Sequence, residues 1–107
     1  MALYVVLITK IETFMYYVYI TSNPNRSCLY VGMTNSLRIR LLEHFKNRGN
    51  KNHFAGRYYC YHLVYYETFT QVLDAIAREK EIKGWKRAKK MALILKLNPN
   101  FVELTPP

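Results

Sequence analysis

The sequence predicts an α+β fold, in which a small three-stranded antiparallel sheet is flanked by helices, and three observations support this fold class. The chain has 107 residues, of which 50% are hydrophobic and 21% charged, and this composition suits one globular domain with its own core. Three segments have the composition of strands, and they cover residues 16–22, 28–33 and 61–69. Three others have the apolar spacing of helices, and they cover residues 36–47, 71–83 and 85–97.

The first two strands predict a hairpin that brings two tyrosines together. Val18 and Ile20 point to one face of the first strand and Tyr19 to the other, because side chains alternate along a strand. The turn "NPNR" follows, and in the second strand the apolar residues alternate with Tyr30 and Gly32. If the apolar sets face the core, Tyr19 and Tyr30 lie on the opposite face of neighbouring strands, close enough to serve one site.

The helix after the hairpin places an arginine beside a histidine. Asn35 or Ser36 is a suitable N-cap for this helix. Arg40 and His44 are four residues apart, so they are neighbours on one side of the helix, at the border of its apolar stripe. Arg38 falls nearer the apolar arc, and the helical wheel suggests no role for it.

The second predicted helix carries a carboxylate in an unusual position. A polar loop over residues 47–60 and the third strand precede this helix, and Thr70 is a candidate N-cap. Glu79 continues the line of apolar residues along the helix, where a carboxylate is costly unless a partner neutralises it. A structural ion pair between Arg40 and Glu79 is one way to meet that cost.

The last predicted helix begins after Gly84 and stops before Pro99. The tail that follows is expected to fold back onto the domain through its apolar residues. The core positions expected on the helix are Trp85, Ala88, Ala92 and Leu95, and those on the tail are Phe101, Val102 and Leu104.

The strong positive charge predicts a polyanionic partner. The net charge is +9 at pH 7 and the pI is about 9.7, so counterion release and long-range attraction favour nucleic acid. The ten tyrosines point the same way, because aromatic rings among basic residues stack on bases. About half of the charges between residues 78 and 90 are expected to be solvated only. The expected nucleic-acid-binding residues are Arg38, Lys51, Arg57, Lys83, Lys86, Arg87 and Lys90.

Residues 1–14 are expected to be an N-terminal extension, and residues 15–107 the domain itself. The apolar run in the extension is too short to span a bilayer and lacks the features of a signal peptide, so no membrane partner is expected. The extension either adds a fourth strand or stays unpacked, and Met15 is an alternative start. Cys28 and Cys60 are far apart and form no Cys-x-x-Cys pair, which indicates neither a zinc ribbon nor a disulfide framework. Reduced thiols suit a cytoplasmic protein.

The polar residues together suit the hydrolysis of phosphodiester bonds. They comprise two tyrosines on adjacent strands, an arginine and a histidine one helical turn apart, and a single glutamate on another helix. In such a reaction an arginine neutralises charge on the phosphoryl oxygens, a carboxylate holds a divalent cation and a base activates water. One acidic ligand is enough where waters and phosphate complete the metal's shell.

These residues resemble the GIY-YIG endonucleases, a family named for two short strand motifs. Here the motifs would be Tyr17-Val18-Tyr19 and Tyr30-Val31-Gly32, and the arginine, histidine and glutamate of the family fall on Arg40, His44 and Glu79. The resemblance covers about residues 15–104. It is closest to the small stand-alone bacterial members, which carry the pattern "RExxIKxWxRxKK", matched here by residues 78–90, and a following "NP". The nuclease domain of the bacterial repair excinuclease is a more distant relative of this kind.

The resemblance implies roles for residues on both strands. Tyr19 would be the general base or would orient the attacking water, unless His44 takes the proton instead. A free tyrosine has a pKa near 10, so a base at Tyr19 would need that pKa lowered. Tyr30 would bind or orient water and phosphate, and Gly32 would leave space for the backbone to approach the substrate.

The resemblance also implies a phosphate stabiliser and a metal ligand. Arg40 would contact the phosphate, and Glu79 would hold a single divalent cation, Mg²⁺ or Mn²⁺. Some relatives carry a lysine where this chain has Met33, and many carry an asparagine that residues 91–94 lack. Asn98 comes late in the chain for that role.

The function predicted on these grounds is a divalent-metal-dependent endonuclease that acts on DNA, with a role in DNA repair or recombination. Branched, damaged or single-stranded DNA is the expected substrate, and a protein partner would supply further specificity. One alternative is a non-catalytic module that binds nucleic acid through the same fold. A third is a protein-interaction module that has kept the fold only.

Overall fold

A computed structural model of the protein describes residues 15–107. It contains three strands, β1 (Tyr16–Ser22), β2 (Leu29–Thr34) and β3 (His62–Phe69), and four helices, α1 (Leu37–Lys46), α2 (Phe54–Arg57), α3 (Val72–Lys83) and α4 (Arg87–Leu97). The predicted α+β fold is confirmed. The extension over residues 1–14 and its suggested strand lie outside the described residues, which begin at the alternative start Met15. None of the described helices is long and apolar enough to cross a membrane.

The sheet has the order β2-β1-β3, and both neighbours of the central strand run antiparallel to it. The register places Tyr19 of β1 opposite Gly32 of β2 and opposite Tyr66 of β3. A residue on the central strand therefore has a cross-strand neighbour on each side. This register brings Tyr19 against the glycine of the second strand motif.

Each face of the sheet carries its own apolar cluster. On one face, Val18, Ile20 and Val31 pack with residues of α3, α4 and the tail, including Ile82 and Ile94. On the other face the cluster is smaller and lies under α1. Its buried members are Tyr19, Leu37 and Leu63, with Tyr17, Tyr30, Leu41, Tyr66 and Leu104 packed around them. The predicted division of the hairpin into an apolar face and a tyrosine face is confirmed.

Some predicted elements differ from those in the structure. The segment over residues 47–60 is not all loop, because it contains the short helix α2. That helix lies close to the end of α1: the amide of Gly49 donates to the carbonyl of Gly56 at 2.7 Å, and a Cβ on Gly56 would overlap the carbonyl of Asn47. Gln71, and not Thr70, is the N-cap of α3.

The last helix begins two residues later than predicted, at Arg87. Trp85 packs against the larger cluster from the turn before it, as expected. The predicted core face of the helix itself is wrong, because Ala88 and Ala92 are exposed and Leu95 is 40% exposed. The buried position is Ile94, which packs in the larger cluster against the sheet.

Asn98 fastens the tail to the domain. Its side chain is 4% exposed, and its Nδ2 donates to the carbonyls of Val64 (3.0 Å) and Val102 (2.8 Å). Its Oδ1 accepts from the amide of Val102 at 3.1 Å. Farther along, the amide of Leu104 donates to the carbonyl of Leu63 at 2.8 Å. The tail therefore runs beside β3, as the fold-back prediction required, but the expected core position Val102 is 52% exposed.

A polar network joins β3 to α3 on the face of the sheet that carries the larger apolar cluster, opposite the face of Tyr19 and Tyr30. Nε and Nη2 of Arg78 donate to the carboxylate of Glu67 at 2.9 to 3.1 Å, and Nη1 donates to Glu81 at 2.5 Å. The Tyr65 hydroxyl donates to Glu67 as well. Burial would raise the pKa of Glu67, but the hydrogen bonds from Arg78 and Tyr65 hold it below its usual value. The first arginine of the "RExxIKxWxRxKK" pattern thus has a structural role.

Candidate active site

The tyrosine face of the sheet meets α1 at a cluster of three polar side chains. The hydroxyl of Tyr19 lies 2.8 Å from Nε2 of His44, and Nε of Arg40 donates to the same hydroxyl at 3.3 Å. Arg40 and His44 stand one turn apart on α1, as their spacing predicted. The structure therefore brings together three of the five residues predicted to be catalytic.

Gly32 makes this cluster sterically possible. A Cβ at this position would overlap the hydroxyl of Tyr19 and would lie 2.6 Å from its Cζ and 2.9 Å from its Cε1. Such distances are far inside van der Waals contact, so the ring can cross β2 only where no side chain stands. The space left by this glycine is filled by Tyr19, and not by an approaching substrate as the resemblance implied.

Burial controls the protonation of Tyr19 and His44. Tyr19 is fully buried, and this burial raises the pKa of its phenol above the ordinary value although the hydrogen bond from Arg40 opposes the shift. Burial, followed by the nearby charge of Arg40, lowers the pKa of His44 to about 4. At neutral pH both groups are uncharged. The imidazole can therefore accept the phenol proton while Arg40 donates to the phenol oxygen.

Arg40 carries the positive charge of the site. Burial is the largest single influence and would lower its pKa, but the hydrogen bonds and charge interactions with Tyr19 and Tyr30 together raise the pKa above its ordinary value. Its side chain is 36% exposed, and Nη1 lies 3.6 Å from the carboxylate of Glu43. A guanidinium held at one nitrogen by a buried phenol and open at another is positioned to contact an anion.

A groove of about 330 Å³, here called the polar groove, opens beside this cluster. It includes three of the predicted catalytic residues, Tyr30, Arg40 and His44, and it is closed by the loop between α1 and α2. The remaining lining residues are Glu43, Asn47, Asn52, His53, Phe54, Ala55 and Gly56. Tyr30 is half-buried, and its ring is 6.2 Å from that of Tyr19 and 5.1 Å from that of His44. Tyr30, rather than Tyr19, is thus the tyrosine that a ligand in this groove would meet.

Glu79 lies apart from the phenol cluster. Its carboxylate is 22% exposed and pairs with Nζ of Lys83 at 3.2 Å, one turn along α3. Arg40 pairs with Glu43 instead, so the suggested ion pair between Arg40 and Glu79 is wrong. Since α3 packs against β1 and β2 on the face of the larger cluster and α1 covers the other face, Glu79 and Arg40 stand on helices at opposite faces of the sheet.

A metal ion at Glu79 would have few protein ligands. Within residues 15–107, no group of three or more His, Cys, Asp or Glu side chains could hold a metal. Mg²⁺ keeps several waters in many enzymes and is held by one or two carboxylates together with substrate phosphates. A single glutamate that shares a metal ion with substrate oxygens and water would fit that mode, provided that Lys83 releases the carboxylate.

The predicted nucleic-acid-binding residues are spread over the surface. Lys83 and Lys90 line a second groove beside Tyr30, whereas Arg38 lines an apolar groove between α1 and the tail, away from Arg40. Arg87 donates to the carbonyls of Arg26 (2.8 Å) and Ser27 (3.3 Å), which holds the β1–β2 turn. The three others are exposed: Lys51, Arg57 and Lys86.

The sequence prediction did not single out Phe54. Its ring is 53% exposed and stands 6.1 Å from the ring of Tyr30, at the border of the polar groove. The only signal was an aromatic residue in an otherwise polar loop. A helix of four residues is too short for a periodic pattern, so α2 could not be recognised from spacing.

Comparison with known proteins identifies the family of the chain. Residues 15–92 match the model of the GIY-YIG catalytic domain, and this range includes both strand motifs, α1 and Glu79. The chain belongs to the GIY-YIG family. The GIY-YIG family is one of nucleases. The two strand motifs for which it is named correspond here to Tyr17-Val18-Tyr19 in β1 and Tyr30-Val31-Gly32 in β2.

Small GIY-YIG relatives of similar length are known in several bacteria. A UPF0213 protein of Staphylococcus epidermidis is 34% identical over 79 residues, which are 74% of this chain and 93% of that protein. A UPF0213 protein of Staphylococcus haemolyticus is 35% identical with the same coverage. The solution NMR structure of a UPF0213 protein from Bacillus halodurans has a TM-score of 0.51 and 27% identity, and it covers 81% of this chain and 89% of that one. The predicted likeness to small stand-alone members is confirmed.

Proposed function

We propose that this protein is a divalent-metal-dependent endonuclease that hydrolyses phosphodiester bonds in DNA. The single observation that carries the proposal is the placement of Tyr19, Arg40 and His44 around one phenol oxygen, beside a groove that Tyr30 and Arg40 line. The net charge of +9 supports a polyanionic substrate.

Arg40 is the proposed phosphate stabiliser. In the structure its guanidinium is already oriented by Tyr19 and partly exposed to the groove. A phosphate in the polar groove would compete with Glu43 for the guanidinium, and the pair with Glu43 is weak because it is long, at 3.6 Å, and exposed to solvent. Donors held in place before the reaction stabilise charge that develops on the phosphoryl oxygens without further reorganisation.

Tyr19 and His44 are proposed to move the proton of the attacking water. Ionisation of Tyr19 to a phenolate before the reaction is unfavourable, because burial raises the pKa of its phenol. If the phenol passes its proton to Nε2 of His44 as its oxygen receives one from water, no phenolate needs to form beforehand. A bound phosphate would offset the charge of Arg40 that helps to lower the pKa of His44, making His44 a better acceptor during the reaction. Because Tyr19 is buried, substrate binding has to open a path for water to its oxygen.

Tyr30 and Glu79 complete the proposed site. Tyr30 lines the polar groove and is proposed to orient the phosphate and the water. Glu79 is the proposed ligand of Mg²⁺ or Mn²⁺, which would polarise the phosphoryl oxygens and stabilise the leaving oxygen. The role in DNA repair or recombination, the cytoplasmic location and the preference for branched, damaged or single-stranded DNA stay predictions.

One observation favours a second candidate function, binding of nucleic acid without cleavage. The only ion-pair partner of Glu79 within residues 15–107 is Lys83, which neutralises the carboxylate that a metal would need. If Lys83 does not yield to a metal ion, the domain would still bind DNA through its basic surface.

Nicking of supercoiled plasmid tests the two functions. We expect nicking with Mg²⁺ or Mn²⁺ and none with chelator, and we expect Arg40→Lys and Glu79→Gln to abolish it. Arg38→Lys is the matched control, because Arg38 lies on the same helix but lines a different groove. Binding of labelled DNA in chelator, together with no nicking in either metal, would establish the second function. Nicking by Arg40→Lys and Glu79→Gln at the rate of the parent protein would refute the first.

A further inference from the structure

Two aromatic rings form a ridge between the polar groove and a second groove. The rings are those of Tyr30 and Phe54, whose centroids are 6.1 Å apart and whose planes differ by 30°. Both residues line both grooves. The second groove, here called the aromatic groove, has a volume of about 310 Å³, which lies near the lower limit for small-ligand sites.

The aromatic groove is lined by both apolar and positively charged residues. Leu29 and Val31 of the edge strand supply the apolar wall, and Lys83 and Lys90 supply two ammonium groups from α3 and α4. Phe54 is 53% exposed, a large fraction for a phenylalanine in contact with two other rings, and Tyr58 supports it at 4.9 Å. The ring of Phe54 is thus held by its contacts with Tyr30 and Tyr58, and its exposed part remains open to a ligand.

This combination matches the chemistry of one nucleotide. A nucleobase is flat and stacks on aromatic rings, and its phosphates attract lysine. An aliphatic ligand would make no use of the positive charge of the lysines, and a simple anion would not use the open ring. A strand that places one phosphate at Arg40 in the polar groove crosses the ridge to reach the aromatic groove, so both grooves can hold parts of the same strand.

We infer that the aromatic groove is a subsite for one nucleobase, next to the phosphate that Arg40 contacts, with Phe54 as the stacking platform. The inference deepens the proposed function and rests on it for the identity of the ligand. A base must leave the helical stack to enter the groove, and it does so at least cost where it is already unpaired. Phe54 would then select the position at which the backbone is presented to the site.

The test compares two ligands of equal charge in the presence of chelator, with the full chain. One is oligothymidylate, and the other is an abasic deoxyribose-phosphate polymer of the same length. We expect Phe54→Leu to weaken binding of oligothymidylate roughly five- to a hundredfold, as loss of one base–aromatic stack does. Binding of the abasic polymer should not change. Phe54→Trp should retain affinity, and the fluorescence of the new indole should be quenched by the thymines.

Phe45→Leu is the matched control. Phe45 is 44% exposed but lines the apolar groove by the tail, so its loss should leave the affinity for both ligands unchanged. The inference is wrong if Phe54→Leu binds oligothymidylate like the parent protein, or if it weakens binding of both ligands equally. Because no cleavage occurs in chelator, this outcome is separate from the nicking assay: nicking that needs Arg40 together with normal binding by Phe54→Leu would remove the subsite and keep the nuclease.

Discussion

The hydroxyl of Tyr19 lies 2.8 Å from Nε2 of His44, although 25 residues separate the two in the chain. The phenol comes from the central strand and the imidazole from the helix that covers it, so the bond ties the sheet to α1. Both groups are almost completely buried, and each supplies the other with the partner that a buried polar group needs. The pair is therefore a structural contact as well as a proposed proton path.

Tyr19→Phe should lower both stability and cleavage. The change leaves Nε2 of His44 without its partner and removes an acceptor from Arg40, which should cost about 1–3 kcal/mol of unfolding free energy. Cleavage should fall at least about a hundredfold if Tyr19 takes part in proton transfer. Urea unfolding and plasmid nicking measure the two effects.

Tyr17→Phe is the control for this variant, because Tyr17 lies on the same face of β1 and none of the hydrogen bonds among the described side chains involves its hydroxyl. It should change stability by less than about 0.5 kcal/mol. Equal stability of Tyr19→Phe and the parent protein would contradict the assigned hydrogen bonds.

Gly32→Ala should displace the ring of Tyr19. The new Cβ would overlap the phenol, so either the ring or the strand must move, at a cost of about 1–3 kcal/mol. Gly84→Ala is the control, since a Cβ there meets only carbonyl oxygens at 3.5 Å or more. Thermal melting compares the two, and a smaller cost of Gly32→Ala in a Tyr19→Ala background than in the parent protein would identify Tyr19 as the obstacle.

Acid should weaken the fold through His44. Its pKa is lowered to about 4 in the folded chain, against about 6.5 when unfolded, so the unfolded chain binds more protons between these values. The contribution of His44 is thus complete above about pH 6.5 and is lost as the pH falls towards 4, by at most about 3 kcal/mol. Urea unfolding of the parent protein at several pH values measures this loss. His44→Gln should show a flatter profile in the same window, and identical profiles would disprove the assignment.

Lys83→Met should separate metal binding from DNA binding. The change frees the carboxylate of Glu79 from its ion pair, so Mn²⁺, followed by its electron paramagnetic resonance signal without DNA, should bind more tightly. DNA affinity should fall, and the slope of log K against the logarithm of the salt concentration should become shallower by about one. Lys86→Met is the matched control, because Lys86 is exposed and lies outside both grooves. Unchanged Mn²⁺ binding by Lys83→Met would argue against Glu79 as the ligand.

Asn98→Ala should destabilise the tail and leave DNA binding unaltered. The substitution leaves the carbonyls of Val64 and Val102 without their donor, and each buried unpaired group costs about 1–3 kcal/mol. Hydrogen exchange at the amides of Val102 and Leu104 would report release of the tail. If instead stability were kept and nicking were lost, Asn98 would be a residue of the site.

Much of the site follows from local patterns in the sequence. The alternation of side chains in β1 and β2 puts Tyr19 and Tyr30 on one face, and helical spacing makes Arg40 and His44 neighbours. These relations depend on a few adjacent residues and on backbone geometry that any strand or helix shares. The fold class and the family likeness could be predicted for the same reason.

Contacts between distant segments decided the rest. The burial of Tyr19 depends on α1 lying across the sheet and on the empty position at Gly32 in the neighbouring strand. The partner of Glu79 is Lys83 and not Arg40, because the sheet stands between the two helices. The place of Phe54 beside Tyr30 depends on how α2 packs against the end of α1. No local pattern encodes such relations, since they arise only when elements far apart in sequence share one volume and must satisfy one another's polar groups.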